Sequence, residues 1–268
     1  MSVKSFPVWK WSLLLLASLV LSLLMYTAAQ TPSYMMTGPG LWAVSFVSAV
    51  AMLGLYALFV KWFEKEAPKD LPLKKAPAHL GMGMGIGVAY FIMVVAIMMA
   101  LSLYRVEEVK FDAAALFGAF TMFLVVAVGE EIVFRGVLFR WIDERFGFWW
   151  AMAISGVVFG FAHLMNDGAS VWSSTAIALE AGLLLAAAYK WSGNLWLPIG
   201  IHWAWNFTQG NIFGFAVSGE AAGSSLLRPV LEGPEWLTGG AFGAEASVIS
   251  AVLGLALMAG FVWKYFKR

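Results

Sequence analysis

An all-α fold that crosses a lipid bilayer about eight times is what this sequence predicts, and three observations predict it. The 268 residues are 61% hydrophobic, with a mean hydropathy of +0.80. Only 12% are charged, against about 25% in ordinary soluble domains. The apolar residues also fall into successive runs of about 20, the length a helix needs to cross the hydrocarbon core.

The runs lie at about 11–29, 41–62, 80–103, 113–135, 149–165, 173–190, 196–213 and 246–263. The first follows Lys4 and Lys10 and resembles a signal peptide, with Thr27-Ala28-Ala29 as a passable cleavage site. Its apolar stretch exceeds the usual 7–15 residues of such a leader, so it is read as a retained span. After the second run, Glu64 to Pro77 carries Pro68, Pro72 and Pro77 among charges and reads as a solvated linker, with His79 an interfacial histidine just beyond it. The third run opens with Gly81, Gly83, Gly85 and Gly87, small residues that let a neighbouring helix approach closely. The fourth ends in charges. The fifth, sixth and seventh hold isolated polar residues: His163, Glu180, His202 and Asn206. Glu180 has no partner visible in sequence, which leaves a bundle hydrogen bond and a supporting role at a site equally open. The 210–245 segment is Gly-rich and mildly acidic, either partly re-entrant or a cap. Three stretches follow: N-terminal spans over 1–110, a polar-bearing core over 111–210, and a loop with the last span over 211–268.

Loop charges set the orientation, because cytoplasmic loops are enriched in Lys and Arg. Lys4, Lys10, Lys61, Lys65, Lys69, Lys74, Lys75, Arg135, Arg140, Arg145, Lys190, Lys264, Lys267 and Arg268 make 14 on one side, leaving Arg105, Lys110 and Arg228 on the other. Both termini are therefore expected in the cytoplasm of a multi-pass protein. A net charge of +1 without a basic block points away from nucleic acid. The absence of cysteine excludes disulfides, zinc-thiolate sites and cysteine nucleophiles. There is no internal repeat of the kind inverted-repeat transporters show.

The densest signal is Gly129-Glu130-Glu131-Ile132-Val133-Phe134-Arg135, which follows the apolar run Leu116 to Val128. An ionisable group at such depth costs roughly 2.5–3.5 kcal/mol by insertion scales and marks a functional hypothesis. Glu131 and Arg135 are four apart and share a helix face. Glu130 lies about 100° round the helix. The economical division pairs Glu131 with Arg135 and leaves Glu130 facing the bundle interior, where a carboxylate can take a proton from water. Phe159 and His163 also share a face, as do His202 and Asn206. A carboxylate, an imidazole and an imidazole–amide pair suit amide hydrolysis: Glu130 and His163 would position and deprotonate a water, while His202 and Asn206 would donate to the oxyanion. Taken singly, the Glu–Arg pair reads equally as a buried ion pair, and each histidine as an interhelical hydrogen bond.

The order Glu-Glu-x-x-x-Arg, Phe-x-x-x-His, His-x-x-x-Asn resembles the CPBP family of intramembrane proteases, which includes type II CAAX prenyl endopeptidases and bacteriocin-immunity proteins. Glu130, Glu131 and Arg135 match the first motif, Phe159 and His163 the second, and His202 and Asn206 the third. Gly136-Val137-Leu138, Ser192 to Gly200 and, more loosely, Gly239 to Glu245 are also similar to bacterial members. Gly129 departs from the family, where proline is common. The resemblance implies an intramembrane catalytic cavity and an endopeptidase acting on membrane-associated, including prenylated, polypeptides in a bacterial inner or cell membrane. Glu130 and His163 would activate water and His202 and Asn206 would form the oxyanion hole, with Glu131, Arg135 and Phe159 in support. The family has also been described as metal-dependent, and Glu130, His163 and His202 could supply three ligands to zinc. With no His-Glu-x-x-His arrangement, a glutamate base without cofactor is the preferred reading. Two alternatives belong to other classes: an inert immunity or scaffold protein of the same fold, and a proton-coupled transporter.

One expectation is in tension with this set. Counted at 1.5 Å per residue from Trp149 and Trp196, His163 should lie roughly 21 Å deep and His202 roughly 9 Å. They can share a site only if the seventh helix starts inside the membrane or the fifth starts outside it, with the fourth continuing through Arg145.

Overall fold

The computed structural model describes residues 7–221 and 223–267, and 76% of these are helical. Lys4 and Arg268, two of the 14 basic residues counted above, lie outside the described residues. Eight helices form the bundle. They are α1 (Val8–Tyr34), α2 (Gly38–Glu64), α3 (Leu73–Ala100), α4 (Ala113–Phe146), α5 (Phe148–Met165), α6 (Val171–Ser192), α7 (Trp196–Phe207) and α8 (Val248–Phe266). Their ends follow from local chemistry. The Asp112 carboxylate accepts from Ala115 N–H at 3.0 Å to open α4. Ser170 and Ser173 form a reciprocal cap on α6, and Ser247 caps α8. Gly147 and Gly193, at φ of 87° and 67°, let the chain leave α4 and α6 in a conformation that favours glycine.

Among the described residues, seven helices are long and apolar enough to cross a membrane, one fewer than the sequence count of about eight. The exception is α7, whose 12 residues are prolonged by five π-helical ones, Thr208–Ile212, and which carries His202, Asn206, Gln209 and Asn211. It nevertheless runs beside α3 from one end of the bundle to the other. At its start, Trp196 Nε1 donates to Pro72 O at 3.2 Å, and beyond its end Tyr104 Oη donates to Phe213 O at 2.9 Å. Gly83 and Gly87 of α3 lie on the backbone of Leu197 and Ile201, and Gly200 lies on Leu80, so a Cβ at any of these would collide with main chain. Gly81 and Gly85 face open space. The glycine run is therefore a helix-packing surface at every fourth residue, not every second.

α4 is a single 34-residue helix, 11 residues longer than the 113–135 span, and it continues through Arg145 as the depth argument expected. One feature was absent from the sequence reading. Strands β1 (Tyr104–Val109) and β2 (Leu227–Leu231) pair antiparallel, with an irregularity between Val106 and Glu108. The 210–245 segment thus contributes a strand, a short helix (Glu235–Thr238) and turns over one end of the bundle.

Several helices contain π-helical turns, which free carbonyls that must be satisfied within the bundle. Side chains do this. Ser155 Oγ donates to Phe134 O at 3.1 Å, and Tyr56 Oη and Arg140 Nε donate to Gly136 O at 3.0 and 2.7 Å. The Arg135 guanidinium donates to Ala181 O and Gly182 O at 3.2 and 3.1 Å. The π-helical stretch Ile132–Phe139 begins directly after the glutamate pair, a placement often met at functional sites.

Candidate active site

The length of α4 resolves the depth difference between His163 and His202. α7 begins at the level of Gly136, because Leu195 N–H donates to Asp70 O at 2.9 Å while Tyr56 Oη bridges Asp70 and Gly136 O. α5 begins only after α4 has ended at Phe146, ten residues further along. That offset is about 15 Å at 1.5 Å per residue, close to the expected mismatch. The fifth helix therefore starts well beyond the level of the seventh, and the two histidines meet.

They meet at a cavity of about 590 Å³, whose walls include Glu130, His163, His202 and Asn206. Glu131 and Arg135 lie behind it with side chains 0% exposed, joined at 2.9 Å. The guanidinium stands over the Phe159 ring, 4.4 Å from its centroid. Glu131 has a second partner that sequence periodicity did not reveal: His202 Nδ1 lies 2.9 Å from the same carboxylate oxygen. Because Glu131 accepts there, Nδ1 carries the proton and Nε2 faces Glu130, 3.8 Å from its Oε2. Phe159 serves twice more. Its carbonyl lies 2.8 Å from His163 Nδ1, which places a proton on Nδ1 and leaves Nε2 as an acceptor. Its ring packs edge-on against Phe134 and His202. Asn206 is buried one turn beyond His202 on the same wall.

The two glutamates divide as the helix geometry predicts. Glu131 is committed to Arg135 and His202. Glu130 reaches the cavity, with one oxygen accepting from Tyr26 Oη at 3.3 Å and the other, Oε2, buried without a partner. Tyr26 comes from α1 and had no sequence signal beyond its place near the end of an apolar run. Its ring lies against Gly129, where a Cβ would overlap it, a physical reason for glycine at this position.

Glu245 is a second residue missed. It lies in a small lobe with His163, His202, Asn206 and Ser218, and its carboxylate accepts the Ser218 N–H. Burial pushes its carboxyl above the usual range, an effect opposed by that hydrogen bond and by His163. The other two candidates lie elsewhere. His79 pairs with the Asn194 side chain, and Glu180 with Tyr90 at 3.1 Å, inside the α3, α6 and α8 packing.

Among the described residues no three His, Asp or Glu side chains are grouped to hold a metal.

The model of the type II CAAX prenyl endopeptidase Rce1-like family matches residues 112–208. Among curated proteins, the uncharacterized protein YpbD of Bacillus subtilis (strain 168) is 34% identical over 79 residues, which is 30% of this chain and 36% of that relative. The match thus spans about a third of the relative's length. No solved structure matches. The segment that carries Glu130, Glu131, Arg135, Phe159, His163, His202 and Asn206 is therefore similar to the Rce1-like family, in keeping with the CPBP resemblance.

Proposed function

We propose that this protein is an intramembrane endopeptidase that hydrolyses peptide bonds of membrane-associated polypeptides without a metal. The observation that carries the reading is the state of Glu130: one oxygen is held by Tyr26, and the other is buried, unpartnered and beside His202. A water there gives one proton to Glu130 while His163 Nε2 accepts its other hydrogen bond. The water oxygen attacks the scissile carbonyl carbon. The resulting oxyanion is held by Asn206 and by His202 Nε2. That donation requires a proton on Nε2 as well as Nδ1, so His202 acts as an imidazolium braced by Glu131. Collapse breaks the C–N bond, and Glu130 returns its proton to the leaving amine.

The basic loops orient the chain with both termini in the cytoplasm. Purified protein should cleave members of a panel of labelled membrane-anchored and prenylated peptides, retain that activity after exhaustive chelation, and lose it in Glu130→Ala. Equal behaviour of Glu130→Ala and wild type would leave the scaffold reading standing. Activity lost on chelation and restored by zinc would replace the glutamate-base mechanism.

A further inference from the structure

Among the described residues, the lining of the cavity runs out to the end of the bundle without the basic loops. Of the 12 described basic residues from Lys10 to Lys267 assigned to the other side, all but the buried Arg135 sit at the opposite end; Arg105, Lys110 and Arg228 share the cavity end with acidic residues such as Glu107, Asp112, Glu220 and Glu235. The mouth is framed by Gln30 near the end of α1, Asn166 just beyond α5, and Ser218, Glu220, Ala221 and Ser224 of the loop that follows α7. Toward the basic end the route is closed. Ile132 to Phe139 of α4 are all buried, and below them Tyr56, Asp70, Tyr189 and Arg140 interlock. By the charge rule for membrane loops, the open end is extracytoplasmic.

The wall supplies a length as well as a side. Ala115, Gly118, Ala119, Met122, Phe123, Val126, Glu130 and Phe134 line the cavity along one face of α4. From Ala115 to Glu130 is 15 residues, or about 22 Å of helix. An extended chain at about 3.3 Å per residue covers that depth in roughly seven residues. Small residues near the mouth, Ala115 and Ala119, leave room for such a strand.

We infer that the cavity admits its polypeptide from the extracytoplasmic side, as an extended segment that threads roughly seven residues inward before it reaches Glu130. The substrate class is then the outward-facing segments of membrane-anchored or exported polypeptides, not chains presented from the cytoplasm. The inference rests on the peptidase reading for the fate of the segment, but access can be measured without any cleavage.

The chain contains no cysteine, so single-cysteine variants report cleanly. In intact cells, a membrane-impermeant maleimide should label Ala221→Cys, at the exposed mouth, and should label Lys69→Cys, in the exposed basic linker, only after permeabilisation. The reverse pattern overturns the side assignment whether or not the protein is a peptidase. For depth, wild-type protein in proteoliposomes of known orientation should be offered lipid-anchored peptides with 4, 8 or 12 residues between anchor and scissile bond, added from the mouth side. Cleavage at 8 and 12 but not at 4 is expected. Equal cleavage of the 4-residue peptide, or cleavage only from the basic side, overturns the threading geometry. No cleavage at any length from either side, with the labelling pattern as expected, sinks the peptidase reading and its threading depth while the side of access stands.

Discussion

Two buried charge clusters sit on α4, one around Arg140 and the other around Glu130, ten residues apart, and they are finished differently. At the basic end, Arg140 forks onto Glu64 with bonds of 2.7 and 2.6 Å, its Nε reaches Gly136 O, and Trp141 Nε1 adds a third donor to Glu64. Tyr56 closes Asp70 at 2.5 Å. No side-chain atom of this cluster is buried without a partner among the described residues. In the middle of the same helix, Glu130 Oε2, Glu131 Oε2 and Arg135 Nε are all buried and all lack one. Unsatisfied buried polar atoms cost free energy, and each calls for an explanation. The saturated cluster clamps the 65–72 linker and the start of α7 onto α4. The unsaturated one keeps capacity in reserve beside a cavity, where a water and a peptide can take it up.

Removing Glu130 should therefore act on chemistry and removing its neighbour on folding. Glu130→Gln should leave a folded protein whose turnover falls to background. Glu131→Gln strands Arg135 in a site of 0% exposure, and breaking a buried pair costs about 3–5 kcal/mol, so its loss should appear first in yield and detergent melting. Finding Glu130→Gln the less stable of the two would erase the distinction between them.

Asn206→Ala tests whether the reserve is used in the transition state. Loss of one oxyanion donor typically lowers kcat by about 10²–10³-fold, with KM little changed. Asn206→Asp should be at least as poor. A lower melting temperature with unchanged kcat per folded molecule would move Asn206 to the structural side of the comparison.

The clamp should give the mirror result. Arg140→Gln leaves Glu64, whose side chain is 3% exposed, without its cation. It should lower the melting temperature by the equivalent of a few kcal/mol, while kcat per folded molecule stays within about twofold. A large fall in kcat with normal melting would mean that the two clusters are coupled.

The smallest expected effect belongs to Tyr26→Phe. It keeps the ring on Gly129 and removes one long hydrogen bond to Glu130, and hydrogen bonds to charged groups contribute about 1.5–3 kcal/mol at most. A fall in kcat of about tenfold or less, with unchanged melting, is expected. No change in kcat would show that Glu130 is positioned without α1.

Most of this contrast was legible in the residues. Charges inside apolar runs are rare enough that Glu130, Glu131, Arg135, His163 and His202 stand out. Spacing of four also gives the shared faces of Glu131 with Arg135 and of His202 with Asn206. What escaped depends on partners remote in sequence. The β1–β2 pairing joins segments about 120 residues apart, with a break in alternation at Glu107. Tyr26 contacts Glu130 from 104 residues away and looks in sequence like an interfacial aromatic. Glu245 follows a glycine-rich turn, and its burial comes from the fold over it. The apolar run of the fourth span stops at 135 because the last turns of α4 carry charges, and only the depth argument carried the helix through Arg145; in the structure Arg140 is held by Glu64 and Asp143 by Lys190.

The backbone contact between α3 and α7 also bears on how the chain is made. α7 carries His202, Asn206, Gln209 and Asn211 within 17 residues, a poor signal for entering lipid alone when polar groups at mid-span are penalised. Its partner surface, Gly83 and Gly87, is already synthesised more than a hundred residues earlier. The membrane-insertion machinery therefore meets α7 when a glycine-paved groove stands ready to shelter it. Side chains placed in that groove would be felt during biogenesis, as a segment left outside the bilayer, before they were felt as a weaker fold.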